Sequence, residues 1–311
     1  QISAIMRRTR LMTEAQHACF LETLQPALAG HGIKRIHPGQ LTEDQYHHVQ
    51  FVFENEIFPI LSPITFTRSR RPSLLQNQLI HLCVRVRPHG SQKNRFTVIP
   101  LPKNLSRFIT VPAAESGYTF MLVEDIITLF IERFFPARDR IMKCTPFRIT
   151  RNADLSVRED QAPDLLSGME AVLDARKRSD CVRLEVDERV SKISLSFLHR
   201  LSGVDTEHTF KLPGPLDFAA FMELSSLEGF SGLLNEPWPP CSLPQLPDNK
   251  SVFDLLDERD ILLYHHYDRF DPVIRLCNEA ADDPEVIAIK QILYRTSKTS
   301  PIVTALIRAA R

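Results

Sequence analysis

Near the end of the chain stand Lys290, Arg295 and Lys298, interleaved with Thr296 and Ser297 and followed by Ser300-Pro301. Arg offers a planar fork of donors matched to phosphate oxygens, and Lys a mobile point charge. A helix opening at Pro301, with Ser300 as its natural cap, would add free amide N–H groups and the positive end of its dipole. These residue types at this spacing suit a phosphate-bearing ligand. By chemistry alone, Arg295 is as well a phosphate ligand as one half of a loop salt bridge. Two adjacent histidine pairs are the other reactive groups. His265-His266 ends a predicted strand, where α/β proteins place their sites, yet a structural hydrogen-bonding role is preferred to catalysis there. His47-His48 is assigned to an exposed helix face. Adjacent residues on a helix do not face one site, and neither pair has a further ligand at metal spacing.

Charge has to be read locally, because Lys plus Arg and Asp plus Glu are 38 each over 311 residues. Between Ile57 and Ala114 there is no acid, while nine bases occur: Arg68, Arg70, Arg71, Arg85, Arg87, Lys93, Arg95, Lys103 and Arg107. At the chain's average acid frequency about seven would be expected in that run. Val286 to Arg311 is acid-free as well, with Lys290, Arg295, Lys298, Arg308 and Arg311. Two such runs suggest a polyanion as partner. The alternatives are a solvated face whose acids lie elsewhere in the fold, or a non-enzymatic polyanion- or RNA-binding module built on 57–114. Sparse aromatics in the first run weaken the RNA alternative, since stacking platforms would be wanted.

Several chemistries are excluded as local motifs. The ten glycines form neither G-x-x-x-x-G-K nor G-x-G-x-x-G, and there is no G-x-S-x-G or H-x-K. Six cysteines at 19, 83, 144, 181, 241 and 277 are too far apart for a zinc ribbon. They read as reduced thiols of a cytosolic protein. No apolar run approaches the ~20 residues of a membrane helix.

The elements that must position these groups follow from periodicity. Thr13-Glu14-Ala15-Gln16 and Thr42-Glu43-Asp44-Gln45 look like capping boxes. The first would open a helix bearing Ala18, Leu21, Leu24 and Leu28, closed by Gly30 and Gly32. The second would carry Tyr46, Val49, Phe53 and Ile57 up to Pro59 and Pro63. Ile80, Leu82, Val84 and Val86 alternate with His81, Cys83, Arg85 and Arg87, the pattern of a half-buried strand, with 95–99 as its partner. Helices are predicted at 123–134, 160–177, 190–202 and 216–225, and strands at 146–150, 181–187 and 207–212. The five prolines in 236–248 read as a linker or rigid surface connection. Beyond it, strand 261–264, helix 270–281, strand 286–293 and helix 301–311 alternate as in a parallel sheet with crossover helices. Both ends read as cut, so the chain is expected to be an internal piece of a longer protein.

Asp260 to Val273 (DILLYHHYDRFDPV), Asp283 to Lys298 (DPEVIAIKQILYRTSK) and Ser300-Pro301-Ile302-Val303 together resemble the type-1 polyphosphate kinase family. The family patterns are D-I-L-L-H-H-P-Y-x-S-F-D-P-V and I-K-Q-T-L-Y-R-T-S-K-D-S-P-I-V. Ile57 to Pro63, Phe147 to Leu155 and Val182 to Val186 fall in family order upstream. This chain departs at Tyr264-His265-His266-Tyr267, at Thr299 where Asp is usual, and at 68–78.

The resemblance implies an α+β multidomain fold. Residues 1–58 would end a helical N-terminal domain, 59–248 form an α+β head domain with its Pro-rich linker, and 249–311 begin a phospholipase-D-like α/β domain. It implies reversible transfer of the terminal phosphate of ATP to inorganic polyphosphate, with Mg²⁺, through a phosphohistidine. That histidine would lie beyond Arg311, so no catalytic residue is expected in this chain and these 311 residues alone are expected to be inactive. Arg295 is the residue carried over, at the magnesium–phosphate site. A guanidinium cannot ligate Mg²⁺, so Arg295 is assigned to phosphate oxygens and no residue here to the metal. Lys290 and Lys298 are added as further phosphate contacts. The implied partners are ATP or ADP, polyphosphate and a second copy through the head domain, without nucleic acid. The implied location is cytoplasmic, free or peripheral to the membrane.

Overall fold

A computed structural model describes residues 1–66, 75–113, 117–152, 170, 172–175, 179–293, 297 and 299–311. The chain divides into two compact units, Gln1–Ser226 and Leu227–Arg311. It is a mixed helix-and-sheet structure, as the sequence predicts.

The first unit opens with α1 (Ile2–Ala18), a widened turn over Cys19–Leu24, and α2 (Gln25–Gly30). The helix therefore begins well before Thr13. That residue does not cap it: its hydroxyl donates back to the Thr9 carbonyl at 2.9 Å. A capping-box pattern inside a helical run has no free amides to satisfy, so the earlier start prevails. After β1 (Ile33–Arg35), α3 (Glu43–Val52) does begin at the second box, where the Thr42 hydroxyl accepts from the Gln45 amide at 3.3 Å. It buries Val49 and Val52, and the widened turn that continues it, Phe53–Ile57, buries Phe53 and Ile57, whereas Tyr46 stays 39% exposed against Phe130. His48 is half-buried rather than exposed, and lies 3.2 Å from the Thr110 carbonyl.

The remaining strands of this unit are β2 (Ile64–Phe66), β3 (Ile80–Arg87), β4 (Arg95–Pro100), β5 (Phe108–Thr110) and β6 (Tyr118–Leu122). Beyond α4 (Val123–Leu129) come β7 (Arg140–Arg151), β8 (Cys181–Asp187), α5 (Lys192–Ser202) and β9 (Thr209–Leu212). They form a six-stranded sheet in the order β2-β4-β3-β7-β8-β9 and a three-stranded sheet β1-β6-β5. The β3–β4 pairing is antiparallel, as predicted, with Cys83 opposite Val98. The predicted helix 216–225 is instead a 3₁₀ segment, Phe218–Ser226. The predicted helix 160–177 falls mostly outside the described residues.

Both faces of the six-stranded sheet are covered. Leu82, Val84 and Ile99 pack on one side with Phe53, Ile57 and Ile126. On the other, Cys83, Val98, Phe147 and Leu184 pack under Leu198 and Leu201 of α5. This corrects the half-buried expectation for β3: His81 and Cys83, its predicted outward residues, are fully buried. Alternation reports polarity, yet Cys83 is roofed by a helix arriving over a hundred residues later, and His81 stacks on Phe147 of β7 at 5.2 Å. His81 Nδ1 donates to the Leu79 carbonyl, the Gln76 amide approaches Nε2, and burial lowers its pKa to about 4. The same burial pushes the Cys83 thiol up and that of Cys144 to about 11. Gly117 sits at a left-handed φ where a side chain would strike the Gly32 carbonyl, 2.6 Å from an added Cβ. That carbonyl accepts the Tyr118 amide at the start of the parallel β1–β6 pairing.

The second unit contains α6 (Val252–Glu258), α7 (Asp271–Asp282) and α8 (Pro301–Ala309). The two long helices agree with the predicted ones; α6 was not foreseen. The predicted strands 261–264 and 286–293 are described, but neither forms a strand ladder. Parallel strands exist only by pairing with neighbours. Among the described residues the unit provides one isolated bridge, Cys241 to Asp268. Through it the Pro-rich stretch is held in place: Cys241 donates to the Tyr267 carbonyl at 2.6 Å and accepts from the Arg269 amide at 3.0 Å.

Candidate phosphate-binding site

Within the second unit the segment bearing the predicted phosphate ligands lies in sequence between α7 and α8. These helices pack through Cys277 against Ile302 and Ala305, with Val273, Ile274 and Leu306 around them. The amphipathic spacing of both helices makes this contact. Glu279 of α7 reaches the start of α6, accepting from the Val252 amide and the Ser251 hydroxyl, each at 2.8 Å. Arg308 of α8 is bidentate to Asp282 of α7 at 2.7 and 3.1 Å. Arg308 is therefore a strut between helices rather than a free cation of the second basic run.

Lys290 is exposed on the unpaired stretch 286–293, a residue before Gln291, whose Oε1 faces the Cys277 thiol at 3.9 Å. Arg295 and Lys298, the other two predicted ligands, lie outside the described residues. Ser300 occupies the position before α8 in extended conformation, but its hydroxyl makes no cap hydrogen bond. Its carbonyl instead accepts from the Thr304 amide and hydroxyl at 3.1 and 3.2 Å. Pro301 begins the helix as predicted, leaving first-turn amides without intrahelical partners. Such amides can contact phosphate oxygens.

The histidine pair lies on a turn in which the Tyr264 amide donates to Asp268 at 2.7 Å and the Asp268 amide to the Tyr264 carbonyl at 2.9 Å. The two rings make aromatic contacts: His265 with Phe270 at 5.0 Å and His266 with Tyr264 at 5.0 Å. Ring packing replaces the hydrogen-bonding role expected of them. Among the described residues no three His, Cys, Asp or Glu side chains converge on a point that could hold a metal ion.

The described bases of the first basic run do not form one surface. Arg107 is buried, donating to Glu124 at 2.6 Å and to the Leu216 and Asp217 carbonyls. Arg85 and Arg87 are half-buried on β3, while Lys93, Arg95 and Lys103 are exposed. Arg68, Arg70 and Arg71 lie outside the described residues. Sequence distance hid the Arg107–Glu124 pair because its acid follows the run by ten residues, with β5 and β6 between the two partners.

Comparison with known proteins adds to this geometry. The family profile for the polyphosphate kinase middle domain matches residues 44–224, and that for polyphosphate kinase C-terminal domain 1 matches 251–311. A polyphosphate kinase of Rhodopirellula baltica is 34% identical over an alignment covering all of this chain and 44% of that protein. One of Halalkalibacterium halodurans is 35% identical, again over the whole chain and 44% of the relative. The crystal structure of polyphosphate kinase from Porphyromonas gingivalis superposes with a TM-score of 0.72 at 24% identity, covering 99% of this chain and 45% of that one. The chain thus spans somewhat under half the length of the curated relatives it matches.

Proposed function

The chain belongs to the polyphosphate kinase family, and from that premise we propose that its protein transfers the terminal phosphate of ATP reversibly to inorganic polyphosphate. The observation that carries this is the match of two family domains in order, the second spanning Lys290, Arg295, Lys298 and the start of α8. Arg295 would bind the transferring phosphoryl group, where a guanidinium offsets the charge spread over its equatorial oxygens. Lys290 and Lys298 would contact the flanking phosphates, and the first-turn amides at Pro301 would complete the cradle. Magnesium, bound with ATP, would neutralise phosphate charge; it is a hard cation commonly held largely by substrate phosphates and water.

A phosphohistidine intermediate would involve a histidine outside these 311 residues, so this stretch alone would be inactive. Domain limits of 1–58, 59–248 and 249–311, self-association through the middle domain and a cytoplasmic location belong to the same proposal. Among the described residues no helix is long and apolar enough to cross a membrane.

The test is synthesis of acid-insoluble polyphosphate from magnesium-ATP by the protein encoded by the whole reading frame. Arg295→Ala should lower the rate at least about a hundredfold while leaving the fold intact. Full activity of that variant would remove Arg295 from the site, and absence of synthesis by the unaltered protein would reject the function.

A further inference from the structure

A hollow in the first unit lies far in sequence from Arg295. It is a cleft of about 820 Å³ lined by Phe66, Phe96, Phe197 and Leu201, with Pro88, Ser91, Lys93, Asn94, Arg95 and Arg200. That volume falls among those of small-molecule sites. Three separate stretches build it: the end of β2, the β3–β4 turn with the start of β4, and one side of α5.

Its floor is aromatic. Phe96 and Phe197 stack in parallel with centroids 4.0 Å apart, and Phe66 meets Phe197 edge-on at 6.1 Å. Phe96 and Phe197 are only half-buried. Among the described residues the lining carries three cations and no acid. Among the described residues neither Lys93, Arg95 nor Arg200 has a carboxylate partner; Arg200 donates only to the Ser196 hydroxyl, at 3.0 Å. Asp139 does reach the turn, but it is committed to the His89 amide at 2.9 Å and does not line the cleft. The β3–β4 turn is itself held in shape, the Ser91 hydroxyl accepting from the Lys93 amide at 3.1 Å. Asn94 Oδ1 is buried with no hydrogen-bond partner, and buried acceptors normally have a donor.

We propose that this cleft binds a nucleoside phosphate, the base against Phe66, Phe96 and Phe197 and the phosphates on Lys93, Arg95 and Arg200. A bare phosphate chain would leave an apolar floor with nothing to bury, and an uncharged aromatic would leave three cations without a counter-charge. A nucleotide satisfies both. Two regions that look unrelated in sequence, the basic run and α5, are thereby given one purpose.

The test is calorimetric titration of the 311-residue chain with ADP, unaltered, as Lys93→Glu/Arg200→Glu and as Arg295→Ala. Both reversed charges are exposed, and circular dichroism verifies that the fold persists. A saturable binding event should be weakened about tenfold or more by the double reversal. It should survive Arg295→Ala within about twofold, and inorganic tripolyphosphate should compete poorly against it. Loss of ADP binding in Arg295→Ala but not in the double reversal would overturn the cleft while leaving the kinase proposal standing. Equal competition by tripolyphosphate would overturn the role of the aromatic floor and with it the nucleoside assignment. No saturable binding would overturn the site altogether. The kinase proposal fails separately, in the synthesis assay with the full-length protein.

Discussion

Strand β3 of the first unit and residues 286–293 of the second are written in similar letters. One carries Ile80, Leu82, Val84 and Val86 on one face, the other Ile287, Ile289 and Leu293. In the first, every apolar member is buried, with β4 and β7 alongside and Phe53, Ile57 and Ile126 packed over that face. In the second, Ile287 is 101% exposed and Ile292 90%, as is Leu262 at 87% in the other predicted strand. The difference does not lie in propensity. A helix closes its own hydrogen bonds, so α7 and α8 form where their sequence says they should. A strand borrows its partners, and a strand-like sequence without a ladder is only an extended segment.

The contrast predicts where each unit is vulnerable. The largest effect should come from Glu124→Ala, which leaves the Arg107 guanidinium buried without its carboxylate; the paired side chains are 9% and 6% exposed. Loss of one partner of such a pair costs about 3–5 kcal/mol, readable as a lowered urea midpoint of the first unit. A change near zero would mean that the first unit is as open there as the second.

Acid should come next. His81 has its pKa lowered to about 4 in the folded chain from 6.5, so the unfolded chain binds the extra proton between those values. Stability from this group is complete above about pH 6.5 and is lost as pH falls towards 4, by roughly 3 kcal/mol in all. His81→Leu should flatten that part of the curve in denaturant titrations, and an unchanged slope would place the proton elsewhere.

Smaller still, Thr42→Ala and Ser251→Ala should each cost about 1 kcal/mol, because both hydroxyls accept a helix-start amide. Equal losses would show that local capping operates alike in the two units. Ile287→Ser should change stability by less than about 0.5 kcal/mol, against a far larger loss for a core residue such as Leu82. A large effect at Ile287 would abolish the comparison.

Legibility followed the same division. Helix α3, the β3–β4 hairpin, α5, α7 and α8 could be read because caps, turns and periodicity are local. What escaped notice depended on distant chain: the roof over His81 and Cys83, the Arg107–Glu124 pair, and short strands β1, β2, β5 and β6, three to five residues long. Too few residues alternate in such strands for a period to register. The proposed phosphate ligands rest on residue types and on a family resemblance. Composition dismissed aromatic platforms near the first basic run because Phe197 is about a hundred positions away from Phe96, which it stacks upon.

The six thiols have a practical consequence. Burial makes Cys83 and Cys277 inaccessible, raises Cys83 and Cys144 far from the reactive thiolate, and raises Cys181 as well. Cys19 and Cys241 alone are exposed, one on each unit. A maleimide dye at neutral pH would therefore attach once to either side of the division between them. The unmodified sequence already carries the two anchor points of a donor–acceptor ruler, so movement of one unit against the other can be followed by energy transfer without engineering a single residue.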